Sequence, residues 1–497
     1  MQRITKSKYV SYYECPKRYY LETFYPRLKK IDSNRDKILS TGTNVGDLAM
    51  GLFGDYTDVT TTSNDILDIP KMIKKTNDCL NNGTINICEA SFLLDDLYCA
   101  VDILHKNPDG SYSIYEVKST TRVEDYHIID TSFQYYVLTM LGLKIKSMNV
   151  VTINSSYIRY KELDINKLFK INDISDKVLT HQNEIPSIID KIRECRDNKI
   201  DPKTDLSRAC DKPYECSFKD FCFKDLPTPS CFSLTNSKKK LEFYNEGLIT
   251  FNDLYNSKYF KKMTEANKEQ ILYEINDMKP KVDKDKIKEF LDKITYPLYL
   301  LDFESMQPAI PLFSKTKPYQ QVVFQYSLHI IEKKGAKPIH KEFLAEEGKC
   351  PTKEVALHLI NDIPADSMIM AYNISFEKSR IKELAIMYPD LSDELLKRLN
   401  FIDLMIPFKN HDIYKKEFQG SYSIKYILPG LFPDDPELDY HNLDLIHNGS
   451  EAMNSYENLL SYPKEERLKI RKSLLKYCEL DTYAMVKILN KLYELLD

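Results

Sequence analysis

The sequence predicts a multi-domain α/β protein. Three observations predict it. The chain has 497 residues, room for two to four domains of ordinary size. Strand-like runs alternate with helical periodicity twice, once before residue 150 and once after residue 295. A polar, lysine-rich stretch with helical periodicity lies between them. The expected divisions are therefore 1–225, 226–290 and 291–497.

The elements follow in order. Ile87–Phe92, Tyr98–Leu104 and Tyr112–Val117 are β-rich and separated by Asp-Asp and Pro-Asp-Gly turns, so they read as a strand meander. Thr131–Leu143 has apolar residues at helical spacing, with Gly142 near its end. In the middle part, Leu241–Tyr244 and the run to Leu254 flank Gly247. Two short helices around a glycine turn fit that pattern. It faintly resembles a helix–hairpin–helix module; a plain helical linker is the alternative. The last part opens on the apolar strand Tyr299–Glu304. Val322–Ile331 alternates as a strand should, Met368–Tyr372 is a further strand, and Phe376–Met387 turns helical.

Composition narrows the function classes. A hydrophobic fraction of 42% with 29% charged residues excludes disorder, collagen and coiled coil as the main architecture. No run of 18 apolar residues suggests a membrane span, and the first residues lack the apolar core of a signal peptide. A cytoplasmic protein that does not engage membranes is expected. The net charge of -4 gives no general basic coat. A local groove can still be basic while clustered carboxylates lower the total. Glycine is scarce, and neither GxGxxG nor GxxxxGK[ST] occurs, which argues against a phosphate-cradling loop. Eleven cysteines in a reducing compartment suggest metal binding or catalysis rather than disulfides.

Asp302 and Glu304 lie two apart at the end of an apolar strand, so both carboxylates share one face. Buried like charges are costly unless a cation neutralises them, which suggests a hard ion such as Mg²⁺ or Mn²⁺. Glu377 lies at a strand-to-helix switch in Asn373-Ile374-Ser375-Phe376-Glu377. Tyr477 and Asp481, spaced i and i+4, share a face of the last helix. Four carboxylates (Asp302, Glu304, Glu377, Asp481) suffice for two divalent ions. Such a pair stabilises both the attacking and leaving oxygens of phosphodiester cleavage, and Tyr477 could orient the attacking water.

The order D-x-E, N-x-x-F-E, Y-x-x-x-D over roughly 295–497 resembles the DEDD-type 3′–5′ exonucleases of the tyrosine subclass. That resemblance implies an RNase H-like fold and two metal ions. One departure is Glu377, where the family carries Asp. Asp403 and Asn373 are candidate supporting groups, and Gly420–Lys425 is similar to a helix start found in the same fold.

In the first part, Asp102 can sit beside Glu116 and Lys118 on the next strand. An acid pair holds one or two divalent ions, and a lysine polarises phosphate or assists water. Gln134 follows on a helix. This D…E-x-K plus Gln resembles the RecB-like branch of PD-(D/E)XK nucleases, which implies a restriction-endonuclease-like α/β/α core. Cys15 early and Cys210, Cys216 and Cys222 late resemble the cysteines of iron–sulfur-stapled RecB-family nucleases, including CRISPR-associated exonucleases. The resemblance implies a [4Fe-4S] cluster on those four thiolates. Cys210-x5-Cys216 is longer than the family spacing, so Cys195 and Cys231 are candidate replacements. Zinc or unliganded thiols are the alternatives. Cys79, Cys88, Cys99, Cys350 and Cys478 read as packing residues. The family's histidine ligand is replaced by Gly46; Asp47 or Glu89 could substitute.

The whole chain resembles a bacterial family of unknown function that fuses the two modules. The implied activity is metal-dependent nucleic-acid hydrolysis, with single-stranded or end-containing substrates and DNA favoured over RNA. DNA repair or CRISPR-linked processing would be its setting. Lys8, Lys17, Arg18, Arg27, Lys29 and Lys30, interleaved with tyrosines, could track a strand. The alternative is a non-catalytic binding or adaptor protein with decayed sites.

Overall fold

A computed structural model describes residues 3–30 and 35–496. The chain divides into two compact units, Met1–Lys224 with Pro308–Tyr319, and Asp225–Gln307 with Gln320–Asp497. Among the described residues, no helix is long and apolar enough to cross a membrane.

The first unit opens with β1 (Ile4–Thr5), α1 (Lys6–Glu14), α2 (Pro16–Phe24) and α3 (Arg35–Ala49). Its sheet then adds β2 (Thr57–Asp58), β3 (Asn86–Leu94), β4 (Leu97–Lys106) and β5 (Tyr112–Val117). After α4 (Asp125–Met140) come β6 (Ile145–Ile153), β7 (Phe169–Asp173), α5 (Ile185–Asn198) and α6 (Lys219–Phe223). The sheet order is β2-β3-β4-β5-β6-β7, with β1 alongside β4. The expected meander is β3-β4-β5, paired antiparallel throughout. The step from β5 to β6 is parallel, and α4 makes the crossover. A parallel step needs such a crossover, whereas the antiparallel ones need only turns. Gly142, at φ +88, follows α4 in the left-handed conformation that ends helices. Ten of the sixteen residues of α4 are buried, and Phe133, Val137 and Leu138 pack against Tyr9 of α1 and the strands.

Pro308–Tyr319 groups with this unit, although the residues on either side belong to the second. The Arg159 guanidinium donates to the carbonyls of Pro311 and Leu312 at 2.9 and 3.1 Å. Ala309 packs with Val151 and Phe169.

The second unit begins with small helices, among them α7 (Lys240–Asn245) and α8 (Phe251–Tyr255). Gly247, at φ +75, turns the chain between them, and Thr250 and Asp253 form a capping box on α8. The sheet follows: β8 (Leu298–Met306), β9 (Val322–Ile331), β10 (Ile339–Leu344), α9 (Thr352–Asp362), β11 (Met368–Ala371), α10 (Ser375–Met387) and β12 (Phe401–Asp403). α11 (Ile424–Leu431), α12 (Gly449–Glu457) and α13 (Lys464–Glu494) complete it. The strand order is β10-β9-β8-β11-β12. β8, β9 and β10 are antiparallel; β11 and β12 run parallel to β8.

β9 reads as a half-exposed strand, yet every residue of it is buried. Its apolar face, Tyr326, Leu328 and Ile330, packs with residues of α9 and α10. Most of its polar face is hydrogen-bonded by α13. Gln325 donates to the Leu474 carbonyl at 2.8 Å. The Thr482 hydroxyl lies 2.7 Å from Ser327 Oγ and 2.8 Å from His329 Nδ1. Burial pushes His329 down to about 4, so the ring is neutral at pH 7. Alternation alone cannot distinguish a wet face from one covered by a hydrogen-bonding helix. This network sets the register of α13 on the sheet. Thr482→Val should cost about 1 to 2 kcal/mol, because it leaves the buried His329 Nδ1 unpaired while Ser327 keeps His340 at 2.9 Å. Urea unfolding measures that loss.

Candidate functional site

Period two along β8 decides which side chain goes where. Tyr299, Leu301 and Phe303 enter the core with residues of α9 and α10. Leu298 and Leu300 pack with Leu480 and Ala484 of α13, and Asp302 and Glu304 continue that face. The Asp302 and Glu304 carboxylates and the Cys478 sulfur lie within 4.8 Å of one another. Burial pushes both acids well above the usual carboxylate range, and the charge of Asp481 adds to this. Asp481 itself is raised by burial to about 6. Glu377, in the first turn of α10, is only 3% exposed, and its Oε2 has no hydrogen-bond partner. Burial raises it to about 8, with the Asp403 charge contributing. Glu377 also raises Asp302, so the charges of the other three acids all converge on Asp302.

Such a cluster fits a hard cation. Two buried carboxylates, Glu304 and Glu377, and two partly buried ones, Asp302 and Asp481, are held with little solvent, and Glu377 carries an oxygen with no donor. Cys478 does not make the site soft, because burial holds its thiol protonated. Sequence reasoning assigned Cys478 to packing alone; its sulfur in fact stands 3.9 Å from Asp302 Oδ2.

Asp403 accepts the backbone N–H groups of Asn373 and Met405 at 2.9 and 3.0 Å. It therefore fixes the turn that delivers Glu377. Asn373 sits at φ +70, and the contact with Asp403 is made by its backbone. Tyr477 is 8% exposed and lies beside Asp481; burial drives its hydroxyl far above the ordinary value. It stays protonated and is not a base.

Two further residues belong here. The Tyr440 hydroxyl donates to Asp481 Oδ1 at 2.6 Å. It lies in an irregular stretch where neither period two nor 3.6 gives a signal. Gly449, at the start of α12, leaves space: a Cβ there would stand 3.7 Å from Glu304 Oε2 and 3.9 Å from the Tyr477 hydroxyl. Gly449→Ala should keep or raise stability, since alanine favours the helix. The methyl fills the space in front of two site groups, so affinity for a divalent ion there should fall about tenfold. A melting curve and a Mn²⁺ titration on the same preparation check both halves. Beside the cluster opens a cavity of about 750 Å³, lined by Lys425, Phe432, His447, Tyr477 and Asp481 among others.

The first unit brings its predicted residues together differently. Asp102 Oδ2 accepts the Val117 N–H at 2.7 Å. Glu116 Oε2 accepts from Gln134 at 2.7 Å, and Oε1 from Lys118 at 2.7 Å. Lys118 also donates to Asp130 at 2.8 Å. The two lysines, Lys118 and Lys6, outweigh burial and hold Glu116 well below the usual range. Asp102 is raised to about 6 by burial and by Glu116. Glu89 stands between the pairs Cys88↔Ile103 and Ala90↔Val101, opposite Asp102, at φ +55. It is raised to about 8 by burial and by Asp102. Asp47 is exposed on α3. Sequence reasoning did not single out Lys6 or Asp130.

Cys15 occupies the junction of α1 and α2. The thiol of Cys222 is raised to about 11 by burial and by Cys216, Cys210 and Cys15, so the four cysteines cluster. Cys195 is buried, with its sulfur donating to the Ile200 carbonyl at 3.3 Å. Cys231 belongs to the second unit, in a core with Leu234 and Phe243. Of the basic residues near the N-terminus, Lys17 pairs with Asp201 at 2.5 Å, Arg18 with Glu14, and Lys30 with Asp220 at 3.2 Å.

Residues 299–423 match a domain of unknown function, DUF2779. The matched segment holds Asp302, Glu304, Glu377 and Asp403; it ends before Tyr440, Tyr477 and Asp481. The uncharacterized protein MG366 of Mycoplasma genitalium is 26% identical over 231 residues. That alignment covers 42% of this chain and 34% of MG366, so the chain spans about a third of its relative's length. No solved structure matches.

Proposed function

We propose that the chain is a metal-dependent nuclease, and that its second unit removes nucleotides from 3′ ends. One observation carries this reading. Asp302, Glu304, Glu377 and Asp481 come from three separate elements: Asp302 and Glu304 stand together on β8, the charges of Asp481 and Glu377 both raise Asp302, and Tyr477 lies beside Asp481. The strand order β10-β9-β8-β11-β12, with β8 central, supports an RNase H-like fold. Mg²⁺ or Mn²⁺ held there would neutralise charge on the scissile phosphate and lower the pKa of a bound water. The four carboxylates would bind the ions. The Tyr477 hydroxyl would orient the attacking water, Tyr440 would keep Asp481 in one rotamer, and Lys425 would meet phosphate at the cavity wall. Incubation of labelled single-stranded DNA and RNA with Mn²⁺ tests this reading. DNA is expected to be shortened faster. Retained binding with no cleavage of either strand contradicts it.

The first unit is read as a RecB-like PD-(D/E)XK module with a [4Fe-4S] staple. The Asp102, Glu116, Lys118 and Gln134 contacts support the former. The four clustered cysteines support the latter. An anaerobic preparation should be brown and contain iron, and Cys216→Ser should lose both properties. A colourless, iron-free wild type contradicts the staple. A second reading for this unit is a strand-gripping module that does not cut. The full occupation of Glu116 by Gln134 and two lysines favours it.

A further inference from the structure

We infer that Lys6 is a built-in counter-ion that competes with divalent cations for the Asp102–Glu116 pair. The inference rests on reading that pair as cation ligands. Lys6 Nζ lies 2.8 Å from Glu116 Oε1 and 3.6 Å from Asp102 Oδ1, so it bridges the two carboxylates as a bound ion would. The remaining oxygens are already committed. Glu116 Oε2 is taken by Gln134, and Asp102 Oδ2 by the Val117 N–H. Glu116 Oε1 also receives Lys118. A cation entering this pair must displace an ammonium, and Lys6 is the one that touches both acids.

Casual surface ion pairs are made by exposed, loosely held side chains. Lys6 is held on both sides. Before it, Ile4 is fully buried, donates to the Asp96 carbonyl at 2.8 Å and pairs with Leu97 of β4. Thr5 caps α1 by accepting the Lys8 N–H. The strand-to-helix junction therefore aims the first helical side chain along β4 toward Asp102. The Lys6 side chain is 22% exposed and Glu116 is 1% exposed, so the pair is poorly screened. The ammonium of Lys118 differs in role. It is shared between Glu116 and Asp130 and makes no ion pair with Asp102 among the described residues.

Removing the Lys6 charge should open the pair to a metal ion. The test measures Mn²⁺ binding by electron paramagnetic resonance on the full chain. Asp302→Asn with Glu304→Gln silences the other cluster. In that background, Lys6→Met should bind one additional Mn²⁺, at least about tenfold tighter than the parent, as expected when one unit charge near the ion is removed. Lys6→Gln should show the same gain, so the result does not hang on the folding of a single variant. Lys6→Arg should show none, and adding Glu116→Gln to Lys6→Met should abolish the gain. Equal Mn²⁺ affinity in the parent and both neutral variants, with matching circular dichroism, overturns the proposal. So does a gain in Lys6→Arg equal to that in Lys6→Met. Strand cleavage does not enter this readout, so failure here leaves the reading of the second unit standing.

Discussion

Asp302→Asn is expected to lower 3′ trimming at least about a thousandfold while making the metal-free protein more stable at pH 8. The two effects have one cause. Asp302 is partly buried beside the buried Glu304, and the charges of Asp481, Glu304 and Glu377 all raise it. An uncharged isostere removes one member of a repelling set and leaves the packing of β8 against α13 intact. Relief of that repulsion should be worth about 2 kcal/mol. The same change deletes a ligand at the centre of the cluster. A residue with a purely structural role gives the opposite sign, because its removal destabilises. Parallel measurement of melting temperature without metal and of trimming rate with Mn²⁺ separates the two. A destabilised variant that keeps its activity contradicts the assignment.

The second large effect is the pH dependence of metal-free stability. Burial raises Asp481 to about 6 and Glu377 to about 8, and it likewise raises Asp102 to about 6 and Glu89 to about 8. Unfolded carboxyls titrate near 4. Between about pH 4 and 8 the folded chain therefore binds more protons than the unfolded chain, and stability falls as pH rises through that window. It levels off above the folded values, where both states are ionised. Asp481 alone accounts for about 3 kcal/mol of this fall. Glu116 is shifted the other way, so its contribution is lost only below the ordinary carboxylate range, outside this window. Scanning calorimetry in chelator should show the melting temperature dropping by about 5 °C or more from pH 5 to pH 8.5. Saturating Mn²⁺ should restore it at pH 8.5 and do little at pH 5, since protonated carboxyls bind no ion. A metal-free melting temperature that rises over this range contradicts a buried acidic cluster.

The acidic constellation was legible because each member sits on a regular element. Period two places Asp302 beside Glu304, and i, i+4 spacing places Tyr477 beside Asp481. Tyr440 was not legible, because it reaches Asp481 from a stretch of short turns with no period. Cys478 follows the packing rule for thiols and is fully buried, but burial does not reveal that the neighbour is a carboxylate. The β3-β4-β5 meander follows from its turns, and its ends differ from expectation by only a few residues. Lys6 was hidden for a different reason. A lysine at the first position of a short helix looks solvated, and only the pairing of β1 with β4 carries it to Glu116. The polar face of β9 was misleading in the same way, since α13, more than a hundred residues later, supplies its partners.

The central claim is metal-dependent removal of nucleotides from 3′ ends by the Asp302 cluster. The most direct measurement follows a 5′-end-labelled single strand incubated with wild-type protein and Mn²⁺. A ladder that shortens one nucleotide at a time from the 3′ end, absent in chelator and in Asp302→Asn, is the predicted result. An intact strand, internal cuts without a ladder, or a ladder that persists in Asp302→Asn contradicts the account.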